Sequence, residues 1–109
     1  MAKNYVGLGD VIDHTAAANL TSGQPVALTD RIGVALVDIA NGETGAVSVE
    51  GVYTLPKTTG VGTALTQGDA VYLTPGGNIT GTATGNTPAG FAFAAADDDA
   101  DTVQVKING

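Results

Sequence analysis

Apolar residues along this chain come in short bursts with no helical stripe among them. Runs of Val, Ile, Leu, Tyr, Phe and Thr, four to eight residues long and closed off by Gly, Pro, Asn or Asp, recur along the whole length. That is the mark of strands joined by tight turns. The pattern predicts strands over residues 11–14, 25–29, 32–38, 45–55, 70–74, 78–82, 89–95 and 102–107. Every second residue is apolar in Val47-Ser48-Val49-Glu50 and in 103–107, so these strands should each show one face to water. The run 32–37 is apolar without alternation and is expected at the centre of a sheet or against a neighbouring subunit. Residues 14–20, with three consecutive Ala, read equally well as a helical turn or a loop.

Turn chemistry orders these strands. Asn41-Gly42 tolerates the positive φ of a tight turn and should fold strand 32–38 back onto strand 45–55 as an antiparallel hairpin. Pro75-Gly76-Gly77 should do the same between 70–74 and 78–82, and the acidic stretch 97–101 between the last two strands.

The strand blocks fall into two similar sets. Gly-Gln-Pro-Val-Ala-Leu at 23–28, Gly-Val-Ala-Leu-Val at 33–37 and Ala-Val-Ser-Val-Glu-Gly at 46–51 are echoed at 68–73, 90–94 and 102–107. The first pair is offset by about 45 residues and the later two by about 56, so the second set carries an insertion at 75–87. The fold expected is all-β: a compact antiparallel β-sandwich or barrel-like domain with an internal pseudo-duplication. Residues 1–10 have no place in that scheme and read as an extended N-terminal arm, with Tyr5, Val6 and Leu8 as its apolar contacts; residues 11–109 form a single β domain.

Composition adds that the core must be thin. Apolar residues make up 43% of the chain, but many are Ala, Trp is absent, and only two Phe and three Tyr supply bulk. Burial contributes about 25 cal/mol per Å² of apolar surface, so a lone protomer should be marginal, and association should supply part of its stability. The net charge of −7 repels a phosphate backbone, so nucleic acid is not an expected partner. No apolar run approaches the roughly 20 residues of a membrane span, and the N-terminus lacks a signal-peptide layout, so a soluble chain made in the cytoplasm is expected. Zero cysteines exclude disulfides and thiolate metal sites.

Chemistry-bearing residues are few. His14 lacks an acid–base partner, since Asp13 would point to the other face of a strand. Neither Ser22 nor Ser48 sits in a nucleophile-elbow setting. Gly51-Val-Tyr-Thr-Leu-Pro-Lys57-Thr58 misses the phosphate-loop pattern by one residue, and Pro56, which has no N–H to offer, is a fatal replacement for glycine. Asp97, Asp98, Asp99 and Asp101 could hold a hard cation, but they lack the glycine and terminal glutamate of an EF-hand and read as a solvated turn. Lys3, Arg31, Lys57 and Lys106 are scattered, each free to pair with an acid on another chain. No enzyme activity, metal or cofactor is expected. A glycan platform would present more aromatic rings than this chain has.

The opening residues 1–12, Ser22-Gly-Gln-Pro-Val26, Gly33-Val-Ala-Leu36, the 51–57 segment and Thr84-Gly-Asn-Thr-Pro-Ala-Gly90 resemble a family of small tailed-phage proteins known as capsid cement or head decoration proteins, often mislabelled phage recombinases. The resemblance spans nearly the whole chain and carries no catalytic residues. It implies a structural virion protein on the outer surface of the phage head, where it stabilises the shell by bridging neighbouring subunits of the major capsid protein, usually as a homotrimer. Within that expectation the arm residues Lys3, Asn4, Tyr5, Val6 and Leu8 contact the capsid, and Ile32, Val34 and Leu36 form the subunit interface. The alternative is a receptor- or glycan-binding β-module on the virion surface.

Overall fold

One glycine divides the chain between two sheets. The computed structural model describes residues 9–109, and the stretch expected as a single strand over 45–55 is two strands, β4 (Thr44–Ser48) and β5 (Val52–Pro56). Between them Gly51 adopts φ 115°, a conformation that side-chain-bearing residues rarely take. The Ser48 hydroxyl donates to the Glu50 carbonyl at 2.7 Å and seals the break. Ser48 is therefore buried, at 5% exposure, and the expected wet face of 47–50 is not present.

β4 lies in a four-stranded antiparallel sheet, ordered β1-β4-β3-β2, with β1 (Val11–Thr15), β2 (Pro25–Ala27) and β3 (Ile32–Ala35). β5 opens a five-stranded antiparallel sheet with β6 (Ala70–Leu73), β7 (Ile79–Thr80), β8 (Thr87–Ala92) and β9 (Thr102–Ile107), ordered β5-β9-β8-β6-β7. Both sheets fit the all-β expectation, and no helix occurs among the described residues. Of the segment 14–20, His14 and Thr15 end β1 and 16–19 is a loop that leads to an isolated bridge between Leu20 and Ile39.

The expected turns are in place. Glu43 N donates to the Ala40 carbonyl across Asn41-Gly42 at 2.9 Å, Gly77 N to Thr74 at 2.9 Å, and Ala100 N to Asp97 at 3.0 Å. Strand ends moved more. β3 stops at Ala35, although Leu36 N still reaches the Ala46 carbonyl at 3.1 Å, and β8 begins at Thr87.

The two sheets are connected alike, since β1-β4-β3-β2 has the same sequence logic as β5-β9-β8-β6. Backbone bonds recur in step. Leu20 pairs with Ile39 and Leu65 with Ala96, while Gly23 N bonds Ala35 O at 2.7 Å and Gly68 N bonds Ala92 O at 2.8 Å. β7, inside the 75–87 stretch, has no partner element in the first sheet. It lets the five-stranded sheet coil: Ile79 forms a parallel bridge with Lys57 just beyond β5, and Thr58 N donates to its carbonyl at 3.0 Å. The coil stops short of a closed barrel.

Alternation in β9 places Val103, Val105 and Ile107 inside that coil and Gln104 outside. They pack with Leu55, Leu65, Val71, Leu73, Ile79, Ala89 and Ala92, and with Ile32 and Val34 from the first sheet. A smaller core of Ala16, Leu20, Ala35, Ile39 and Val47 covers the opposite face of the first sheet. The non-alternating run from Ile32 is thus the interior strand of a sheet with both faces covered.

The sheets are tied by Asn108. Its side chain donates to the carbonyls of Ile32 at 2.8 Å and Val49 at 2.9 Å and accepts from Ile32 N at 3.1 Å, while its own N–H donates to Ala89 O at 2.8 Å. Its φ of 56° is left-handed, a region Asn tolerates better than most residues. The close fit continues at Gly90, where φ is 130° and a Cβ would stand 2.0 Å from the Lys106 carbonyl oxygen. Asn108→Ala, which strands the buried Ile32 amide, should cost about 3 kcal/mol in chemical denaturation. Gly90→Ala should cost more than about 3 kcal/mol, because it adds backbone overlap to a strained φ.

Candidate functional site

The residues expected to carry chemistry are kept apart or given over to backbone. His14 stands on β1 opposite Gly45, with Asp13 directed to the other face opposite Ala46. Ser22 Oγ donates to the Leu36 carbonyl at 3.3 Å, and Ser48 is committed to Glu50. Among the described residues no three His, Asp or Glu side chains converge as a metal site would require. Of four surface clefts, three are lined mostly by Thr, Gly and Pro. One holds the lone carboxylate of Asp69, another Asp30, Arg31 and Tyr72, and none includes His14.

Lys57 has a role that sequence spacing did not disclose. The near-phosphate-loop segment is strand β5, and Lys57 at its end is buried, at 4% exposure. Its ammonium donates to the carbonyls of Thr58 and Asp97, both at 2.9 Å, and to the Thr63 hydroxyl at 3.4 Å. A lysine so engaged has no donor left for a phosphate and no surface for an acid on another chain. The corresponding place in the first sheet is taken by Ala16, whose N–H donates to Glu43 O just as Lys57 N donates to Asp101 O. The added ammonium organises the longer loop that follows.

The acidic turn 97–101 is the other half of this clasp. The Asp98 carbonyl accepts from Gly60 N at 3.0 Å and from the Thr63 hydroxyl at 3.1 Å, while its carboxylate accepts from Ala64 N at 2.7 Å. Loop 58–65 is therefore fastened at both ends, with Val61 fully exposed at its apex. The only signal for this in the sequence was the isolated Lys57 beside a Thr- and Gly-rich stretch.

The residues expected at contacts with other chains are divided. Lys3, Asn4, Tyr5, Val6 and Leu8 lie outside the described residues. Ile32 and Val34 are 0% exposed and belong to the protomer's own core, so neither has surface to offer a neighbour. Leu36, just past β3, is 40% exposed. The burial of the first two follows from the interior position of β3, which an apolar run alone does not separate from an interface strand.

Lys57→Met keeps the aliphatic stem and removes the charged hydrogen bonds. It should cost about 2 kcal/mol in denaturant unfolding and speed amide exchange at Gly60 and Ala64 relative to β9.

What remains is a scaffold of two sheets with polar groups spent on internal fastening and several apolar side chains left outside. Among the described residues, no helix is long and apolar enough to cross a membrane. Neither the curated proteins nor the solved structures give a match to this chain. The family model for phage cement proteins matches residues 6–107, nearly the full length. The chain belongs to the phage cement protein family and has the capsid-associated structural role of that family.

Proposed function

We propose that this protein binds the outer surface of a tailed-phage head and stabilises the shell by bridging neighbouring subunits of the major capsid protein. The family match over residues 6–107 carries this reading. The folded chain supports it: two sheets, fastened internally by Asn108 and Lys57, present surface with no catalytic constellation among the described residues. A rigid body held at several points raises the free energy of separating what it bridges, and symmetric copies multiply modest contacts. A homotrimer suits that task, and Leu36 is the member of the expected interface trio with surface to contribute.

The arm, through Lys3, Asn4, Tyr5, Val6 and Leu8, is the proposed grip on the shell. It precedes β1, which among the described residues is an edge strand of its sheet. An edge strand offers unpaired backbone donors and acceptors, so arm and edge together suit attachment by strand addition to a neighbouring protein.

Phage heads lacking this protein should bind the full chain in co-sedimentation and withstand a higher temperature before releasing DNA. Deleting residues 2–8 spares the bond from Val49 N to the Asp10 carbonyl and should weaken head binding at least about tenfold. His14→Ala should bind as the full chain does. Failure of the full chain to bind heads overturns the proposal, and undiminished binding after the deletion removes the arm from it.

A further inference from the structure

Neither of the chain's phenylalanines belongs to the core, which is built of Val, Ile, Leu and Ala: Phe93 is exposed and Phe91 half-buried. They belong to an ordered patch. On the outward face of β5, β9 and β8, Val52, Lys106 and Phe91 form one cross-strand row, and Thr54, Gln104 and Phe93 form the next. The opposite faces of the same strands supply Leu55, Val103, Val105 and Ala92 to the core. Val52 is 42% exposed and Phe93 47%. An antiparallel sheet with one wet face normally turns polar residues to water, and aromatic anchors set on an exposed face are typical of the centre of an interface.

The charge distribution selects the occupant. All eleven carboxylates of the chain lie outside the five strands of this sheet, whose one charged residue is Lys106. Lys106 is itself 3.5 Å from Glu50 at the margin. Two copies, each of net charge −7, repel one another over the carboxylate-bearing turns and least over this sheet. A basic partner would be drawn to those turns instead. Four surface clefts leave Val52, Phe91, Phe93, Gln104 and Lys106 outside their linings, and Thr54 alone of the two rows borders one of them, so these side chains form an open face of the kind a protein covers. We infer that the outward face of β5, β9 and β8 is where a second copy of this chain docks.

The inference does not depend on head binding and is tested without heads. In sedimentation velocity the full chain should associate reversibly. Gln104→Glu adds one carboxylate without changing volume at an exposed position, and Phe93→Asp removes an anchor as well. Each should weaken association about a hundredfold or more with unchanged circular dichroism, while Val61→Asp, in the loop 58–65, should associate normally. Because the chain has no cysteine, the thiol of Gln104→Cys is unique. Its reaction with a maleimide should be slow in the oligomer and fast on dilution, whereas that of Val61→Cys should be fast throughout. A chain that stays monomeric at high concentration overturns the inference, as does association unaffected by Gln104→Glu or a Gln104→Cys thiol that reacts freely in the oligomer. A monomer whose head binding is lost with Gln104→Glu would assign the face to the shell, and would overturn it equally.

Discussion

One amide side chain fastens the two sheets where Ile32 and Val34 of the first pack into the core of the second. Asn108 occupies the place a further strand residue would take, giving and receiving a hydrogen bond with Ile32 and capping Val49 at the point where the chain leaves the first sheet. The Ile32 groups are buried in the core, where an unpaired donor or acceptor costs far more than a paired one gains, and the Val49 carbonyl beside them is half-buried. Without Asn108 the first sheet would keep its own small core of Leu20, Ile39 and Val47. It would lose the anchor that holds Ile32 and Val34 against the end of the coiled sheet.

A molecule with so little bulk inside leans on fastening. Lys57 and the acidic turn do for one loop what Asn108 does for the sheets, using main-chain carbonyls as partners for a buried cation. All carboxylates but that of Asp13, on β1, are left in turns and loops, and the five-stranded sheet is left almost uncharged. Internal hydrogen bonds therefore position acidic turns and a neutral face on one small body.

Much of this was legible in the residues. The alternation of Val103, Val105 and Ile107 gives the core face of β9, and Asn41-Gly42 and Pro75-Gly76-Gly77 mark the turns they make. The break at Gly51 was hidden because apolar residues continue on both sides of it, and periodicity does not report a change of sheet. Ile32 and Val34 read as interface candidates for a related reason: a fully buried strand and a subunit contact have the same composition, and only sheet order separates them. The outward Phe91 and Phe93 alternate with Ala92 and Gly90, so the pattern was correct for a strand. The face that holds the larger side chains turned out to be the outer one, because Gly90 and Ala92 leave room for β9 and the core to close in.

The stretch that holds β7 has a bearing on engineering. In the first sheet the same connection, from β2 to β3, is a short turn closed by Leu28 N on the Arg31 carbonyl at 2.7 Å, with Asp30 and Arg31 exposed. The second sheet shows that an equivalent join accepts a whole hairpin while its flanking strands keep their pairing. The residues around Asp30 are thus a natural point for grafting a foreign epitope into the fold without disturbing the pairing of β2 and β3.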